Sequence, residues 1–152
     1  MHVELRRGTA ADLGDLLPLV AAYHEFEGIG SSDKQRRESL SFLLRDQDFG
    51  AVWCISHDDE LAGYIALCKG YSIEFGGFDA FIDEFYLAAE FRSKGIGGEA
   101  LNAIKAEALK LDINALHLEV ARDNTRARRL YAAHGFEARE KYLLMSAELE
   151  QA

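Results

Sequence analysis

The sequence predicts one mixed α/β domain, in which a hairpin-rich first half precedes an alternation of strands and helices. Its 152 residues suit a single domain over 1–152. Hydrophobic residues make up 49% of the chain, which is enough to bury a core. The hydrophobic periods indicate the order β-α-α-β-β-β-α-β-α-β. Because that order combines antiparallel pairing with at least one parallel crossover, we expect a mixed sheet.

Short runs rich in β-branched and aromatic residues predict the strands. They are residues 3–6, 51–56, 61–68, 80–87, 115–120 and 142–149. The turn "HDDE" separates the second strand from the third, so these two are expected to form a hairpin. The glycine-punctuated stretch 70–78 is expected to be a loop that leads into the fourth strand.

Apolar residues that recur at helical spacing predict the helices. Thr9 and Asp12 are spaced as a capping box at the start of the first helix, and Ser32 and Gln35 mark the second in the same way. Gly135 is placed to end the last helix. The helices are expected over 10–26, from Ser32 through Leu40, Leu43 and Leu44, over 95–111, and over 125–134.

Charge is distributed unevenly along the chain. The formal net charge of −9 disfavours nucleic acid as a partner. Residues 1–91 carry 7 Lys/Arg and 17 Asp/Glu, a net −10, whereas residues 92–152 carry 10 and 9, a net +1. Two explanations fit this charge distribution. Either the charges serve only to keep the surface soluble, or the acidic half binds a cationic substrate while the basic half binds an anionic cofactor. With no apolar run that could span a membrane and no signal-peptide segment in "MHVELRRGTAADLGD", we expect a cytoplasmic protein.

The cysteines and histidines indicate no metal site. Cys54 and Cys68 lie in apolar, strand-like surroundings, so we expect free thiols without a catalytic role. The five histidines have no metal-ligand spacing with one another or with the cysteines. We therefore expect no bound metal.

The segment "FRSKGIGGEAL" places glycines at the expected start of a helix. Gly95, Gly97 and Ala100 fit the dinucleotide-binding pattern G-x-G-x-x-A, and Glu119 stands at about the expected distance. However, the polar run 88–94 separates these glycines from the preceding strand, and too few residues follow for two mononucleotide-binding halves. A Walker A loop is excluded, because the glycines are not followed by Lys-Ser/Thr.

The same segment also reads as R-x-x-G-x-G, starting at Arg92. Free N–H groups in the first turn of a helix bind phosphate, helped by the helix dipole. Gly95 and Gly97 let a ligand approach the backbone closely, and Arg92 and Lys94 add positive charge beside it. This interpretation favours a phosphate-binding loop.

Two stretches, in this order, resemble the GNAT superfamily of N-acetyltransferases. "IDEFYLAAEFRSKGIGGEAL" is similar to that superfamily's strand, pyrophosphate loop and helix. "LHLEVARDNTRARRLYAAHGFE" resembles its next strand and helix, with Asn124, Ala127, Tyr131 and a final Gly-Phe pair at the matching places. The resemblance is strong over residues 80–137, and the element order extends it to the whole chain.

The resemblance implies a mostly antiparallel sheet splayed between two parallel strands, with helices on both faces. It also implies a homodimer, and acetyl-CoA as the acyl donor, bound where the two strands part. The pyrophosphate would contact residues 93–98, and the pantetheine arm would pair with residues 85–87 like an added strand. The implied cofactor-binding residues are Phe85, Tyr86, Leu87, Arg92, Ser93, Lys94, Gly95, Ile96, Gly97, Gly98, Asn124, Ala127 and Tyr131.

Acetyl transfer requires a neutral amine, so a base must accept the ammonium proton. Asp83 and Glu84 are adjacent in a predicted strand and would point to opposite faces unless a bulge brings both to the substrate. The resemblance implies the base and amine-binding roles for this pair, as in the spermidine/spermine acetyltransferases, and a general-acid role for Tyr131. Four arginines are equal candidates for the ribose phosphate: Arg122, Arg126, Arg128 and Arg129.

The function expected from the resemblance is direct transfer of an acetyl group from acetyl-CoA to a primary amine. The acceptor classes are a small-molecule amine, a polyamine or an amino acid. Acidic residues near the expected acceptor side favour a cationic acceptor, among them Glu25, Glu27, Glu74 and Asp79. The alternatives are a protein-lysine or N-terminal acetyltransferase, a non-catalytic acyl-CoA-binding module and a dinucleotide-binding domain.

Overall fold

A five-stranded mixed sheet lies at the centre of the computed structural model, which describes residues 2–45 and 48–150. The strands are β1 (Val3–Arg7), β2 (Gly50–His57), β3 (Glu60–Ser72), β4 (Gly77–Leu87) and β5 (Ile113–His117). They lie in the order β1-β2-β3-β4-β5. Neighbours are antiparallel except for β4 and β5, which run parallel. The predicted mixed, mostly antiparallel sheet is confirmed.

Helices cover both faces of the sheet. They are α1 (Leu13–Glu27), which a short 3-10 turn precedes, α2 (Asp33–Arg45), α3 (Ile96–Lys110) and α4 (Thr125–Ala133). The first two helices pack on one face, and α3 and α4 pack on the other. Within the part of the chain that the structure describes, no helix has the length and apolar character needed to cross a membrane.

Side chains that alternate along the central strands fill both layers of the core. In β2, Val52 and Cys54 pack against α1 and α2, whereas Trp53 and Ile55 pack on the side of α3. β3 alternates in the same way. Strands covered on both faces read as unbroken apolar runs, which explains why "AVWCIS" shows no polar alternation.

The stretch 70–78, predicted to be a loop, is mostly strand. β3 continues to Ser72 and β4 begins at Gly77, so only residues 73–76 form the turn. Cross-strand pairs such as Tyr71 with Phe78, whose rings meet edge to face, outweigh the low strand propensity of the glycines. The prediction was wrong because it weighed local composition alone.

The strand predicted over 142–149 is not formed. This segment lies outside the sheet, and its apolar side chains are exposed, Met145 to 88%. Arg139 anchors the approach to it through an ion pair with Glu74 at 2.7 Å. Strand-like composition does not suffice, because a strand forms only where a neighbouring strand pairs with it.

β5 pairs with β4 over its whole length, whereas β4 is paired on this side over only part of its own. The parallel ladder ends at Phe81 and His117, while β4 continues to Leu87 beside β3. Beyond Phe81 the two parallel strands part, so the backbone of β4 loses its neighbour on that side. The space between the strands is where the functional residues collect.

Asp12 ties β1 to the start of α1. Its carboxylate accepts hydrogen bonds from the Arg6 guanidinium at 2.8 and 3.0 Å, and from the Thr9 N–H at 2.8 Å. These bonds, with Arg6 as the main contributor, lower the pKa of Asp12 to about 2. The predicted capping box at Thr9 is present, and it starts the 3-10 turn Ala10–Asp12 that leads into α1.

We expect Asp12→Asn to lower the free energy of unfolding at neutral pH by on the order of 1 kcal/mol. The folded-state pKa of Asp12 lies below the unfolded value of about 3.9, so its contribution is complete above about pH 4 and disappears as the pH falls toward about 2. Urea unfolding at neutral pH and near pH 2 measures the difference in unfolding free energy between wild type and variant. A difference that is as large in acid as at neutral pH would contradict this account.

Candidate functional site

A cleft of about 960 Å³ opens where β4 and β5 part; we call it the β4/β5 cleft. One wall is the end of β4, including Phe85, Tyr86 and Leu87, and the other is the segment 118–121 that follows β5. The starts of α3 and α4 close one end, and the last turn of α1 covers it. The cleft therefore brings together most of the residues that the sequence suggested for cofactor binding.

The first turn of α3 presents free backbone amides to this cleft. Gly95 is the N-cap residue, with a φ of 80°, and no side chain caps the helix. A left-handed conformation at this point favours glycine. The first N–H groups of a helix have no partner within it, and Gly97 and Gly98 line the cleft. The arrangement suits an anion such as phosphate.

Arginines reach this loop from two directions. Arg126, on α4, donates a hydrogen bond to the Ser93 hydroxyl and lines the cleft. Arg92 also lines the cleft, and its Nε donates to the Leu87 carbonyl at 2.9 Å. Arg128 instead donates to the Arg122 carbonyl at 3.1 Å. Of the four arginines that the sequence left equal, the structure thus places Arg126 beside the loop.

Two of the suggested loop residues have side chains that do not point into the β4/β5 cleft. The Lys94 ammonium lies 5.9 Å from the centre of the Phe91 ring, and the Ile96 side chain is buried in the core. Neither residue is among the described ones that line the cleft. Ile96 can therefore offer a ligand only its backbone, and the ammonium of the exposed Lys94 lies outside the cleft in this conformation.

Asn124 and Ala127 lie at the start of α4 and line the cleft together. The Asn124 side-chain oxygen accepts a hydrogen bond from the Ala127 N–H at 3.2 Å, so Asn124 is the N-cap of α4. Its side-chain NH2 group has no hydrogen-bond partner within residues 2–45 and 48–150, so it can bind a ligand. Asn124 therefore has a structural role that the sequence interpretation did not include.

Tyr131 lies in the β4/β5 cleft with its ring packed between two aromatic residues. The ring centres of Phe85 and Phe136 are 6.4 and 5.9 Å from that of Tyr131. Burial raises the pKa of Tyr131 to about 12, and the negative charge of Glu27 adds to the effect. The hydroxyl therefore stays protonated at neutral pH and can donate a hydrogen bond.

A second cavity, of about 640 Å³, lies between the sheet and the first two helices; we call it the α1/α2 cavity. A register shift in the β3–β4 ladder leaves Asp83 without a partner on β3, as in a β-bulge. Both Asp83 and Glu84 line this cavity, and Asp83 also lines the β4/β5 cleft. The two spaces therefore meet at Asp83.

Glu84 is held by two donors that come from distant parts of the chain. The Tyr64 hydroxyl donates to one carboxylate oxygen at 2.7 Å, and His24 Nε2 lies 2.6 Å from the other. His24 Nδ1 lies 2.6 Å from the Ser31 hydroxyl, which accepts from Arg36 at 2.9 Å. An ionised carboxylate can only accept, so His24 Nε2 carries the proton donated to Glu84, and in the neutral imidazole Nδ1 then accepts from the Ser31 hydroxyl.

Sequence reasoning missed both partners of Glu84. In the sequence, His24 is one of five histidines without metal-ligand spacing, and Tyr64 lies within a predicted strand, so neither is marked as a partner of Glu84. His24 stands 60 residues from Glu84 along the chain, and Tyr64 stands 20 residues away. No local pattern links residues at such distances, so the register of the sheet was needed to find them.

The Asp83 carboxylate, unlike that of Glu84, has no protein partner within the described residues. No hydrogen bond or ion pair to its carboxylate forms within residues 2–45 and 48–150. Partial desolvation raises the pKa of Asp83 above its ordinary value, and His24 opposes this rise. Since the residue is exposed to solvent in the cavity, its carboxylate can reach a bound ligand.

The family model for the GNAT acetyltransferases matches residues 18–136. The chain belongs to the GNAT family. It is 29% identical over 133 residues to an uncharacterized N-acetyltransferase of Archaeoglobus fulgidus, covering 86% of this chain and 90% of that protein. It is 24% identical over 135 residues to the N-acetyltransferase YhfO of Bacillus subtilis, covering 89% and 90%. A GNAT protein with these relatives is an acyltransferase.

Solved structures share the GNAT fold seen here. An integron cassette protein from the mobile metagenome of Cole Harbour Salt Marsh superposes with a TM-score of 0.83 and 28% identity, over 97% of this chain and 91% of that one. A predicted acetyltransferase from Clostridium acetobutylicum, solved with acetyl-CoA, superposes with a TM-score of 0.76 and 18% identity, over 95% and 96%. The fold expected from the resemblance is confirmed.

Cys68 lines the α1/α2 cavity of this GNAT protein, whereas Cys54 is buried in the core. Burial raises the pKa of the Cys68 thiol to about 11, and the charges of Asp83 and Glu84 contribute. A thiol with this pKa is almost entirely protonated at neutral pH, so it is a poor nucleophile.

We expect iodoacetamide to label Cys68 slowly, with a rate that rises about tenfold per pH unit up to about pH 10. An ordinary cysteine, with a pKa of about 8.5, would level off well below that. Asp83→Asn should speed labelling at a given pH, since it removes a charge that opposes the thiolate. Mass spectrometry locates the label, and Cys68→Ser is the control. A plateau near pH 9 would contradict the raised pKa.

Proposed function

We propose that this GNAT enzyme transfers the acetyl group of acetyl-CoA directly to a primary amine. The observation that carries the proposal is the position of Asp83, where the β4/β5 cleft and the α1/α2 cavity meet. The acetyl donor, bound in the cleft, and the amine that accepts the acetyl group, bound in the cavity, would come together at this carboxylate. The site needs no covalent enzyme intermediate, because both substrates reach it at once.

The β4/β5 cleft fits acetyl-CoA. The uncapped amides that begin at Gly95 suit its pyrophosphate, and Arg126 and Arg92 supply positive charge nearby. The backbone of residues 85–87, beyond the ladder with β5, suits an extended amide chain. The Clostridium structure with acetyl-CoA supports the assignment by its shared fold. When bound, acetyl-CoA supplies an activated acyl thioester.

Asp83 is proposed as the base. An alkylammonium has a pKa of about 10.4, so it must lose a proton before its nitrogen can attack the thioester carbon. Asp83 has free oxygens and a raised pKa, both of which help it to accept that proton. Both oxygens of Glu84 are already held by His24 and Tyr64, so Glu84 would anchor the ammonium by its charge.

Tyr131 is proposed to stabilise the leaving thiolate. A thiol has a pKa of about 8.5, whereas that of Tyr131 is about 12, so full proton transfer from the tyrosine would be uphill. The hydroxyl therefore acts mainly as a hydrogen-bond donor while the carbon–sulfur bond breaks. As that bond breaks, the nitrogen of the new amide loses its second proton, which passes through water to the thiolate, so that CoA leaves as the thiol. The amine proton stays on Asp83 until solvent removes it.

Cys68 is not proposed as an acyl carrier. It lies in the α1/α2 cavity beside the carboxylates, but its raised pKa leaves little thiolate at neutral pH. An acetyl group would also have to pass the acids to reach it. Direct transfer to the amine is therefore favoured over a two-step route.

We further propose a cytoplasmic homodimer. The exposed apolar segment 142–149 and the free edge of β5 support self-association, since both offer unpaired surface. Light scattering that gives the mass of a single chain at micromolar concentration would contradict the dimer.

We expect Arg126→Gln to weaken acetyl-CoA binding by about tenfold, because a charge-assisted contact to phosphate is worth roughly 1.4 kcal/mol or more. Arg128→Gln is the matched control, since Arg128 is on the same helix but donates its hydrogen bond to the Arg122 carbonyl. It should change the dissociation constant by less than about twofold. Isothermal titration calorimetry measures both variants. If both variants lost the same acetyl-CoA affinity, only the overall charge of α4 would matter for binding.

We expect the enzyme, acetyl-CoA and an amine panel to release CoA thiol, detected with a thiol reagent. Tyr131→Phe and Asp83→Asn should each lower kcat by at least about tenfold, because each removes a group that acts on the reacting atoms. Acetyl-CoA binding by Tyr131→Phe should stay within about twofold of wild type. If acetyl-CoA binds but no amine is acetylated, the chain is a binding module instead.

A further inference from the structure

We propose that the α1/α2 cavity accepts a primary monoamine with an apolar body, aryl or alkyl, and selects against acceptors that carry a second cation. This inference rests on the proposed function, because it takes this cavity to be the acceptor site. It goes beyond that function by naming the acceptor's chemistry, which the family does not determine.

Apolar side chains form the walls of the cavity. Leu40 and Val52 are buried and form its inner wall. Phe42 and Phe49 are 43% and 57% exposed and form its outer part, with ring centres 5.6 Å apart. Exposed aromatic rings that line a cavity are typical of a ligand-binding surface. An apolar acceptor body would cover them.

Negative charge is concentrated at one end of the cavity. Asp83 and Glu84 lie at the junction with the β4/β5 cleft. The remaining carboxylate among the described lining residues, Glu38, is 68% exposed and lies 3.9 Å from the Lys34 ammonium, so its charge is screened. One ammonium is therefore well matched at the junction, and a second one along the body has no equivalent partner among the described residues that line the cavity.

The rest of the cavity opposes a second cation. Lys69 lines it and would repel an ammonium held nearby, whereas the charge of Arg36 is already paired with Asp33. An ammonium against Phe42 or Phe49 would also lose hydration, and the attraction of a phenylalanine face does not compensate for that loss. A polyamine, one of the acceptor classes expected from the sequence, thus fits this cavity poorly.

The test compares n-hexylamine with hexamethylenediamine, which have the same carbon chain and differ by one ammonium. With saturating acetyl-CoA, kcat/KM for n-hexylamine should exceed that for the diamine by at least about tenfold. Phenethylamine should behave like n-hexylamine, and spermidine like the diamine. A diamine that is acetylated as well as the monoamine, or better, would overturn the proposal.

A charge introduced at the outer wall sharpens the test. Phe42→Glu should shift the ratio of kcat/KM values toward the diamine by about tenfold, because it supplies the missing partner. Leu109→Glu is the control: it makes the same change at a 71% exposed position on α3, away from the cavity. If the two variants alter the ratio equally, the outer wall does not select the acceptor.

Binding without turnover separates this inference from the proposed function. n-Hexylamine should slow iodoacetamide labelling of Cys68, which lines the same cavity, and the diamine at equal concentration should not. If n-hexylamine protects Cys68 but is never acetylated, the inference stands and the proposed function fails. If only diamines protect Cys68 and are acetylated, the proposed function stands and the inference fails.

Discussion

The parting of β4 and β5 after Phe81 and His117 is the constraint on which the rest of the site depends. While the ladder continues, the facing backbones of the two strands pair with each other. Once it ends, the backbone of β4 faces open space at the level where α3 begins. A strand edge and a helix start are thus exposed side by side, and together they suit an elongated ligand with a phosphate at one end.

A second irregularity works together with the first. The bulge at Asp83 inserts a residue where the β3–β4 ladder would otherwise continue, and it lets two adjacent acids line one cavity. The surroundings of these two carboxylates differ in the hydrogen-bond partners that they offer. Glu84 is tied to His24 and Tyr64, whereas Asp83 stays free and has a raised pKa. Environment, rather than residue type, distinguishes the two carboxylates.

The two layers of helices serve different parts of the chemistry. α3 and α4 supply amides, arginines and Tyr131 to the β4/β5 cleft, so that side of the sheet suits an anionic cosubstrate. α1 and α2 supply His24 and the aromatic outer wall of the α1/α2 cavity, so the other side suits an apolar amine. The charge asymmetry along the sequence therefore reflects the two sides of the sheet only in part, because the α1/α2 cavity, the proposed acceptor site, is lined by apolar as well as acidic side chains.

The sequence by itself determined the local features. Helical periods, the capping box at Thr9 and the glycines of the loop are short-range patterns, and each predicted its element; the strand-helix order was right up to the last helix. The loop over 70–78 and the strand over 142–149 were wrong because strand formation depends on a partner elsewhere in the chain. Tertiary structure alone decided that Lys94 turns away, that Arg126 reaches Ser93, and that His24 holds Glu84. These contacts join residues across the fold, and only the register of the sheet and the packing of the helices bring such residues together.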